Sequence, residues 1–202
     1  MDVDAVEIRV LGCLIEKQRT TPEQYPLSVN ALRLACNQST NRDPVVDYDE
    51  RTIRDALDRL SHRGWTRLAS GAGSRALKYR HLLDEALSLS EAELSLLAVL
   101  MLRGPQTPGE LKQRTERLHR FGGLPDVVQM LETLAQRELA ARFERRPGQK
   151  EDRYAQLLGG GVEETALVQE DSPDGADRLA AIEARLARLE QAFGELSTRL
   201  TR

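Results

Sequence analysis

The sequence has few cysteines and few aromatic residues, and it lacks long hydrophobic runs. Its only cysteines, Cys13 and Cys36, are too few for a disulfide framework or a zinc ribbon, so we expect buried free thiols. No apolar run approaches the roughly 20 residues that span a bilayer. The acidic stretch over residues 1–9 lacks the apolar core of a secretory signal. These features predict a cytoplasmic protein with no membrane span.

Recognisable catalytic and metal-binding motifs are also lacking. The three histidines, His62, His81 and His119, are scattered and show no metal-ligand spacing. The sequence contains no nucleophile elbow and no Walker loop. Gly71 and Gly73 do not form a dinucleotide fingerprint, because they fall in a predicted hairpin tip and not at a helix start. We therefore predict a protein that is not an enzyme and that has no metal site and no cofactor.

The net charge of −3 argues against an indiscriminate nucleic-acid binder, but the charge is unevenly distributed. Residues 1–83 contain 13 Lys/Arg and 11 Asp/Glu, and residues 84–159 contain 11 and 12. Residues 160–202 contain only 5 Lys/Arg against 9 Asp/Glu. Because most of the acidity lies in this last part, the charge of each local surface matters more than the total.

What the sequence does contain is an internal repeat. Apolar residues at helical spacing mark a first helix in each copy, and a Thr-Pro pair follows each helix, at Thr21 and at Thr107. The later segments around Leu57 and Leu131 match at an offset of 74 residues, whereas the two Thr-Pro pairs are offset by 86. This difference predicts about a dozen extra residues between the second and third helices of the first copy, around residues 36–47.

Each copy predicts the order helix, turn, helix, connection, helix and two strands. Ser90 and Thr107 each precede a glutamate by three residues, which indicates capping boxes that open two helices of the second copy. The third helices are expected over roughly 49–63 and 124–138, and glycines at the hairpin tips suit tight turns. This pattern predicts a mainly helical α+β fold with two tandem winged helix-turn-helix domains. An all-helical repeat is the alternative, which the glycine-centred tips disfavour.

The predicted order is winged-helix domain 1 over 1–84, winged-helix domain 2 over 85–159, a flexible acidic linker over 160–176 and a C-terminal helix over 177–202. In that last segment apolar residues alternate at spacings of three and four, which is a heptad seam. These candidate oligomerisation residues are Leu179, Ile182, Leu186, Leu189, Phe193, Leu196 and Leu200. The seam predicts a coiled-coil homodimer. The alternative is an amphipathic helix that folds back onto its own domains.

The predicted hairpins carry candidate nucleic-acid contacts. Winged-helix domains usually read DNA with the third helix and contact phosphates with the hairpin, or wing. The first of the third helices alternates acidic and basic residues, which predicts i,i+4 ion pairs on a solvated face, and the second is too acidic to be a good reader. The candidates in the more basic hairpins are Arg67, Arg75, Lys78, Arg80, Arg145, Arg146 and Lys150. An ordinary basic surface is the alternative interpretation.

A dense polar segment over residues 36–44 supplies four further candidates. Asn and Gln side chains can read adenine edges, and Arg can read guanine or bind phosphate. Asn37, Gln38, Asn41 and Arg42 are therefore candidate nucleic-acid-binding residues. The alternative is a structured loop, because amide side chains also bond nearby backbone in turns and caps.

Four stretches of the chain resemble the YceH family of bacterial proteins. They are EKQRTTPEQYPLSVN at 16–30, ACNQSTNR at 35–42, RGPQTPGEL at 103–111 and RPGQKEDRY at 146–154. The resemblance covers most of residues 4–160. It implies two winged-helix domains, a bacterial cytosolic source and no established activity, and it supplies no catalytic residues.

Two functions remain open at this point. The basic wings favour a dimeric, transcription-regulator-like protein that associates with double-stranded DNA. The acidic second copy and the acidic tail favour a scaffold that binds another protein without sequence-specific DNA binding.

Overall fold

A computed structural model describes residues 3–69, 77–145 and 151–160, all of which belong to one compact unit spanning residues 1–162. Candidate residues outside the described part are Arg75, Arg146, Lys150 and the seven heptad residues from Leu179 to Leu200. The predicted domain boundaries, the dimer and the C-terminal helix stay predictions. Within the described ranges, no helix is long and apolar enough to cross a membrane.

The described residues form helices and two small antiparallel sheets, which confirms the α+β class. The first copy contains α1 (Ala5–Thr20), a 3-10 helix (Pro22–Gln24), β1 (Leu27–Ser28), α2 (Val29–Cys36), α3 (Glu50–His62), β2 (Thr66–Leu68) and β3 (Lys78–His81). After a short α4 (Leu83–Leu87), the second copy contains α5 (Glu91–Arg103), α6 (Pro108–Thr115), α7 (Leu124–Gln136), β4 (Ala140–Phe143) and β5 (Arg153–Gln156).

The helix starts follow from side-chain caps. Asp4, Ser90 and Thr107 each accept a hydrogen bond from the backbone N–H three residues on, and the glutamate at that position bonds back to the cap. Each reciprocal pair satisfies two backbone donors that the first helical turn leaves open. The capping boxes predicted at Ser90 and Thr107 are thus confirmed.

α3 and α7 are equivalent helices of 13 residues that lie 74 positions apart and end in the same way. Gly64 and Glu138 follow them with positive φ angles of 75° and 56°. In each turn the next residue donates its N–H to the carbonyl five positions earlier, at 2.9 Å and 3.0 Å. This is a Schellman ending, in which a left-handed residue closes the helix. The predicted third helices are confirmed to within two residues at each end.

Each hairpin pairs with a further short segment that the repeat pattern does not predict, a two-residue strand in the first sheet and an isolated bridge in the second. The first sheet has the order β1-β3-β2, with Tyr79 of β3 paired to Leu27 of β1 and to Leu68 of β2. In the second sheet β4 pairs with β5, and Gln106 forms an isolated antiparallel bridge with Tyr154. One or two paired residues show no alternating pattern, so sequence periodicity cannot reveal them.

The extra residues of the first copy occur in two places, which corrects one prediction. The first residues of equivalent helices differ by 86 for α1 and α5, by 79 for α2 and α6, and by 74 for α3 and α7. Seven extra residues therefore precede α2 and only five follow it, so placing all of them after α2 was wrong. The two Thr-Pro pairs are not equivalent positions of the repeat. Thr21 precedes the 3-10 helix, whereas Thr107 caps α6, and the residue equivalent to Thr107 is Ser28, which caps α2. Thr-Pro suits many helix starts and does not fix a register.

Packing of α1 against α5 joins the two copies in one hydrophobic core. A Cβ atom at Gly12 would lie 2.9 Å from Cγ of Leu102 and 3.1 Å from Cβ of Met101. Such distances are shorter than side chains tolerate, so glycine allows the two helices to approach. Cys13 and Cys36 are buried free thiols, as predicted.

Candidate nucleic-acid interface and polar loop

The polar loop, residues 37–49, connects α2 and α3 and is closed by Asn37. The side-chain oxygen of Asn37 accepts the N–H of Tyr48 at 2.9 Å. Its amide nitrogen donates to the Tyr48 carbonyl at 2.8 Å and to Oδ1 of Asp47 at 3.3 Å. Asn37 therefore binds the far end of the loop through both halves of its amide, as asparagine side chains often do in turns.

Arg42 lies at the centre of this loop, and its side chain is 0% exposed. Nε donates to the Ala35 carbonyl at 3.0 Å. Nη1 donates to Oε1 of Glu16 at 3.2 Å and to the Asn41 carbonyl at 2.8 Å. Nη2 donates to Oε2 of Glu16 at 2.6 Å and to Oε1 of Gln38 at 2.9 Å. All five N–H groups of the guanidinium thus have an acceptor within the chain.

Two charged residues of α1 complete the support for the loop. Burial alone would raise the pKa of Glu16, but hydrogen bonds and charges from Arg42 and Lys17 hold this pKa below its usual value. Arg9, also buried, donates to the carbonyls of Cys36 at 3.3 Å and Pro44 at 2.7 Å. Neither Glu16 nor Arg9 is among the residues predicted from the sequence. The available signal was a charged residue between apolar neighbours, as at position 9, which is weak without a structure.

The loop also holds the end of α5. The N–H of Asp43 donates to the Leu102 carbonyl at 2.8 Å, which satisfies one acceptor of the last helical turn. Arg103 donates to Oδ1 of Asn41, a residue with a positive φ of 61°. The four loop candidates, Asn37, Gln38, Asn41 and Arg42, therefore all use their side chains inside the chain. The structured-loop interpretation accounts for every one of these contacts.

The exposed cations of α3 lie beside acids. Arg51 pairs with Asp55 at 4.0 Å, and Arg54 pairs with Glu50 at 3.2 Å, which confirms the predicted i,i+4 pairs. Arg59 reaches Asp4, the residue that caps α1, at 2.5 Å. Exposed pairs of this kind contribute only about 0–1 kcal/mol to stability. Their main consequence is that α3 presents a surface of nearly balanced charge.

Three cations share the outward face of the first sheet. Successive residues of a strand point to opposite faces. Because Tyr79 and His81 point into the core, Lys78 and Arg80 point away from it. Arg67 of β2 lies directly opposite Arg80 in the register and is exposed, so it belongs to the same face. We call Arg67, Lys78 and Arg80 the cationic face. Arg80 also contacts Glu85 of α4 at 2.5 Å.

The second hairpin is closer to neutral. Arg142 donates to Oδ2 of Asp152 at 2.8 Å through Nε and also binds that oxygen through Nη2. The Arg145 N–H donates to Oδ1 of Asp152 at 2.9 Å, while the Arg145 side chain is exposed. The N–H of Arg145 and the guanidinium of Arg142 hold the pKa of Asp152 below its usual value. Arg145 remains a candidate contact, but Asp152 reduces the positive charge around it.

A groove of about 440 Å³ lies between α6, α7 and the second hairpin. Its apolar wall includes Leu124, which is 42% exposed, and Val128. The charged residues around it are Glu132, Arg142, Arg145, Glu151 and Asp152. At the equivalent positions of α3, 74 residues earlier, stand Glu50 and Arg54, which form an ion pair. The two equivalent helices therefore present different surfaces, one charged and one partly apolar.

Comparisons with known proteins place the chain in a family. Residues 3–149 match the model described as "Protein of unknown function, DUF480". The UPF0502 protein YceH of Salmonella paratyphi B is 44% identical over an alignment that covers 98% of each chain. The chain belongs to the YceH family. A UPF0502 protein of Geotalea daltonii is 50% identical over 95% of this chain and 89% of its own length. Another, from Shewanella sp., is 44% identical over 99% and 96%.

The YceH resemblance drawn from the four sequence stretches is thus confirmed. Two of these stretches, 16–30 and 35–42, contain the residues that build the polar-loop support, including Glu16 and Arg42. A third, 103–111, contains Arg103 and the Thr107 capping box. In this YceH-family chain, much of the recognisable sequence therefore serves contacts within the fold.

Proposed function

We propose that this YceH-family chain is a non-enzymatic, cytoplasmic bacterial protein with two winged helix-turn-helix domains, residues 1–84 and 85–159, that associates with duplex DNA. The winged-helix assignment is supported by an element order that occurs twice: a helix, a short segment that pairs with the hairpin, two further helices and the hairpin. In this assignment α3 and α7 are the third helices, and the two hairpins are the wings.

The cationic face is the observation that carries the DNA proposal. In winged-helix domains the wing contacts the phosphate backbone, and β2 and β3 form the wing of the first domain. Arg67 and Arg80 are directly opposite each other, and Lys78 lies two residues along the same strand. Three adjacent cations can bind neighbouring phosphates and release condensed counterions, which favours association at low salt.

A homodimer fits this function. The heptad seam from Leu179 to Leu200 would bring two chains together, so that one particle carries two cationic faces. Two linked sites raise the apparent affinity without any new contact, because the second binding event becomes intramolecular.

Fluorescence anisotropy with a labelled duplex of ~20 base pairs at low salt tests the proposal. The variant Arg67→Glu/Lys78→Glu reverses two charges of the cationic face, and we expect it to bind at least ~10-fold more weakly than the natural chain. The matched control is Arg117→Glu/Arg120→Glu in the exposed α6–α7 connection, which changes the net charge equally. We expect the control to bind within ~2-fold of the natural chain. Absence of binding at low salt, or equal losses in both variants, would contradict the proposal.

The groove beside α7 favours a second candidate, a protein scaffold. Exposed apolar residues rimmed by charged ones are typical of protein-binding surfaces. A partner recovered from nuclease-treated bacterial lysate with the natural chain, and lost with Leu124→Asp, would support the scaffold. Retention of that partner by Arg67→Glu/Lys78→Glu would separate this function from DNA binding.

A further inference from the structure

We infer that the chain holds duplex DNA through its phosphates alone, so that affinity does not depend on base sequence. This inference rests on the proposed DNA association. It concerns what the bound surface can recognise, and it follows from where the side chains that could read bases are placed.

Within the polar loop, which the structure describes in full, most of the groups suited to reading bases already have partners inside the chain. Base edges are recognised by free amide and guanidinium groups that reach into a groove. Asn37 uses both its oxygen and its nitrogen on Tyr48. Arg42 uses all five N–H groups inside the protein, and Oε1 of Gln38 accepts from Arg42 at 2.9 Å. The Asn37 amide and the Arg42 guanidinium are therefore occupied within the protein, and Gln38 has one of its two amide groups engaged.

Release of Arg42 toward a base would disrupt its surroundings. The Glu16 carboxylate would lose two hydrogen bonds, and the Ala35 and Asn41 carbonyls would each lose a donor. Such groups are costly to leave unpaired in a protein interior. One new contact with a base does not compensate for several lost buried contacts, so the loop stays closed when DNA is present.

The third helices are poorly suited to entering a groove. Exposed Glu50, Asp55 and Asp58 accompany the arginines of α3, and exposed Asp126 and Glu132 lie on α7. A helix in the major groove places its side chains between two rows of phosphates, where carboxylates are repelled. In that groove carboxylates can accept only from the exocyclic amino groups of cytosine and adenine, so little readout offsets this repulsion.

The cationic face offers contacts without sequence information. Arg67, Lys78 and Arg80 extend from the outer side of a sheet, and contacts of such cations with phosphate position a protein without specifying bases. Each phosphate neutralised on duplex DNA makes the slope of log K against log salt more negative by about 0.9. Arg67 and Lys78 together correspond to a contribution of about −1.8 to this slope, and Arg80 adds to it only if phosphate replaces Glu85 as its partner.

The experiment measures the anisotropy of the full chain on three duplexes of ~20 base pairs that are A·T-rich, G·C-rich and mixed in sequence. We expect dissociation constants that agree within ~3-fold at each salt concentration. Arg67→Ala and Lys78→Ala should each reduce the salt slope by about 0.9, equally for all three duplexes.

Gln38→Ala and Asn41→Ala separate loop support from base reading. Both residues lie toward the surface, and circular dichroism checks that the variants fold. We expect affinity within ~2-fold of the natural chain on every duplex, together with a lower melting temperature. A preference of ~10-fold or more for one duplex would overturn the inference while leaving DNA association intact. If the natural chain binds none of the duplexes at low salt, DNA association itself is refuted.

Discussion

Replacing Arg42 with alanine should destabilise the fold more than removing any surface arginine. The substitution leaves the Glu16 carboxylate without its bidentate partner and two backbone carbonyls without donors. Removing one partner of a buried ion pair typically costs about 3–5 kcal/mol. Glu16 keeps Lys17 at 3.0 Å, and its side chain is 16% exposed, so we expect the lower end, about 3 kcal/mol. For a chain of this length the melting temperature should fall by about 6–12 °C.

Urea and thermal unfolding followed by circular dichroism measure this loss. The control is Arg51→Ala, whose side chain is 89% exposed and whose ion pair spans 4.0 Å, with an expected change below about 0.5 kcal/mol. Arg42→Lys should recover only part of the stability, because one ammonium group cannot replace a planar guanidinium with five donors.

The pH dependence provides a second readout of the same contact. Because Arg42 and Lys17 overcome the effect of burial and lower the pKa of Glu16, the folded state favours the carboxylate. The stability from this ion pair is present above the ordinary glutamate pKa of about 4.3 and is lost as the pH falls through the lower folded pKa. In Arg42→Ala the free energy of unfolding should therefore fall less steeply in this acid range than it does in the natural chain. A loss below about 1 kcal/mol, or an unchanged slope in this acid range, would refute the assignment of Arg42 as the main support of the loop.

Three further predictions concern the backbone and a buried histidine. Glu138→Gly should raise the free energy of unfolding by about 1 kcal/mol in urea titration, because φ is 56° there; a decrease would contradict this. Gly12→Ala should destabilise by about 1 kcal/mol, since crowding exceeds the gain in helix propensity. At Gly109 the nearest atom to an added Cβ is 3.8 Å away, so Gly109→Ala should stabilise the fold. If both substitutions change the melting temperature in the same direction, the packing argument is refuted. Burial lowers the pKa of His81 to about 4, so its imidazole stays neutral at pH 6. Its NMR titration should have its midpoint near pH 4 and not near pH 6.5. The stability that neutral His81 contributes is complete above pH 6.5 and declines as the pH falls toward about 4.

Local signals allowed much of the fold to be predicted. The helix starts at Ser90 and Thr107 could be predicted because a capping box requires only a cap residue and a glutamate three positions later. α3 and α7 were recognised from apolar periodicity and from their constant offset. The paired Thr-Pro motifs did not align the two copies correctly, because such a motif can occur at the start of any helix.

The candidate site was less predictable, since its character depends on contacts between distant residues. Nothing near Arg42 in the sequence indicates that its partner is Glu16, 26 positions away. The opposite placement of Arg67 and Arg80 likewise depends on the register of a hairpin whose connection spans many residues. Hydrogen-bonding capacity alone allowed two interpretations of the polar loop, a structured loop and a surface that reads bases.

The repeat, the family, the caps and the α+β class could be recognised without a structure, because they depend on composition, periodicity and short spacing. Which polar side chains remain available to a partner depends on the packing of distant segments. Packing joins the copies through α1 and α5, buries Arg42, engages the amides of the polar loop in contacts within the chain, and leaves Arg67, Lys78 and Arg80 on one face. The physical reason is that a buried donor must find its acceptor within the fold, and the position of that acceptor is set by packing of distant segments.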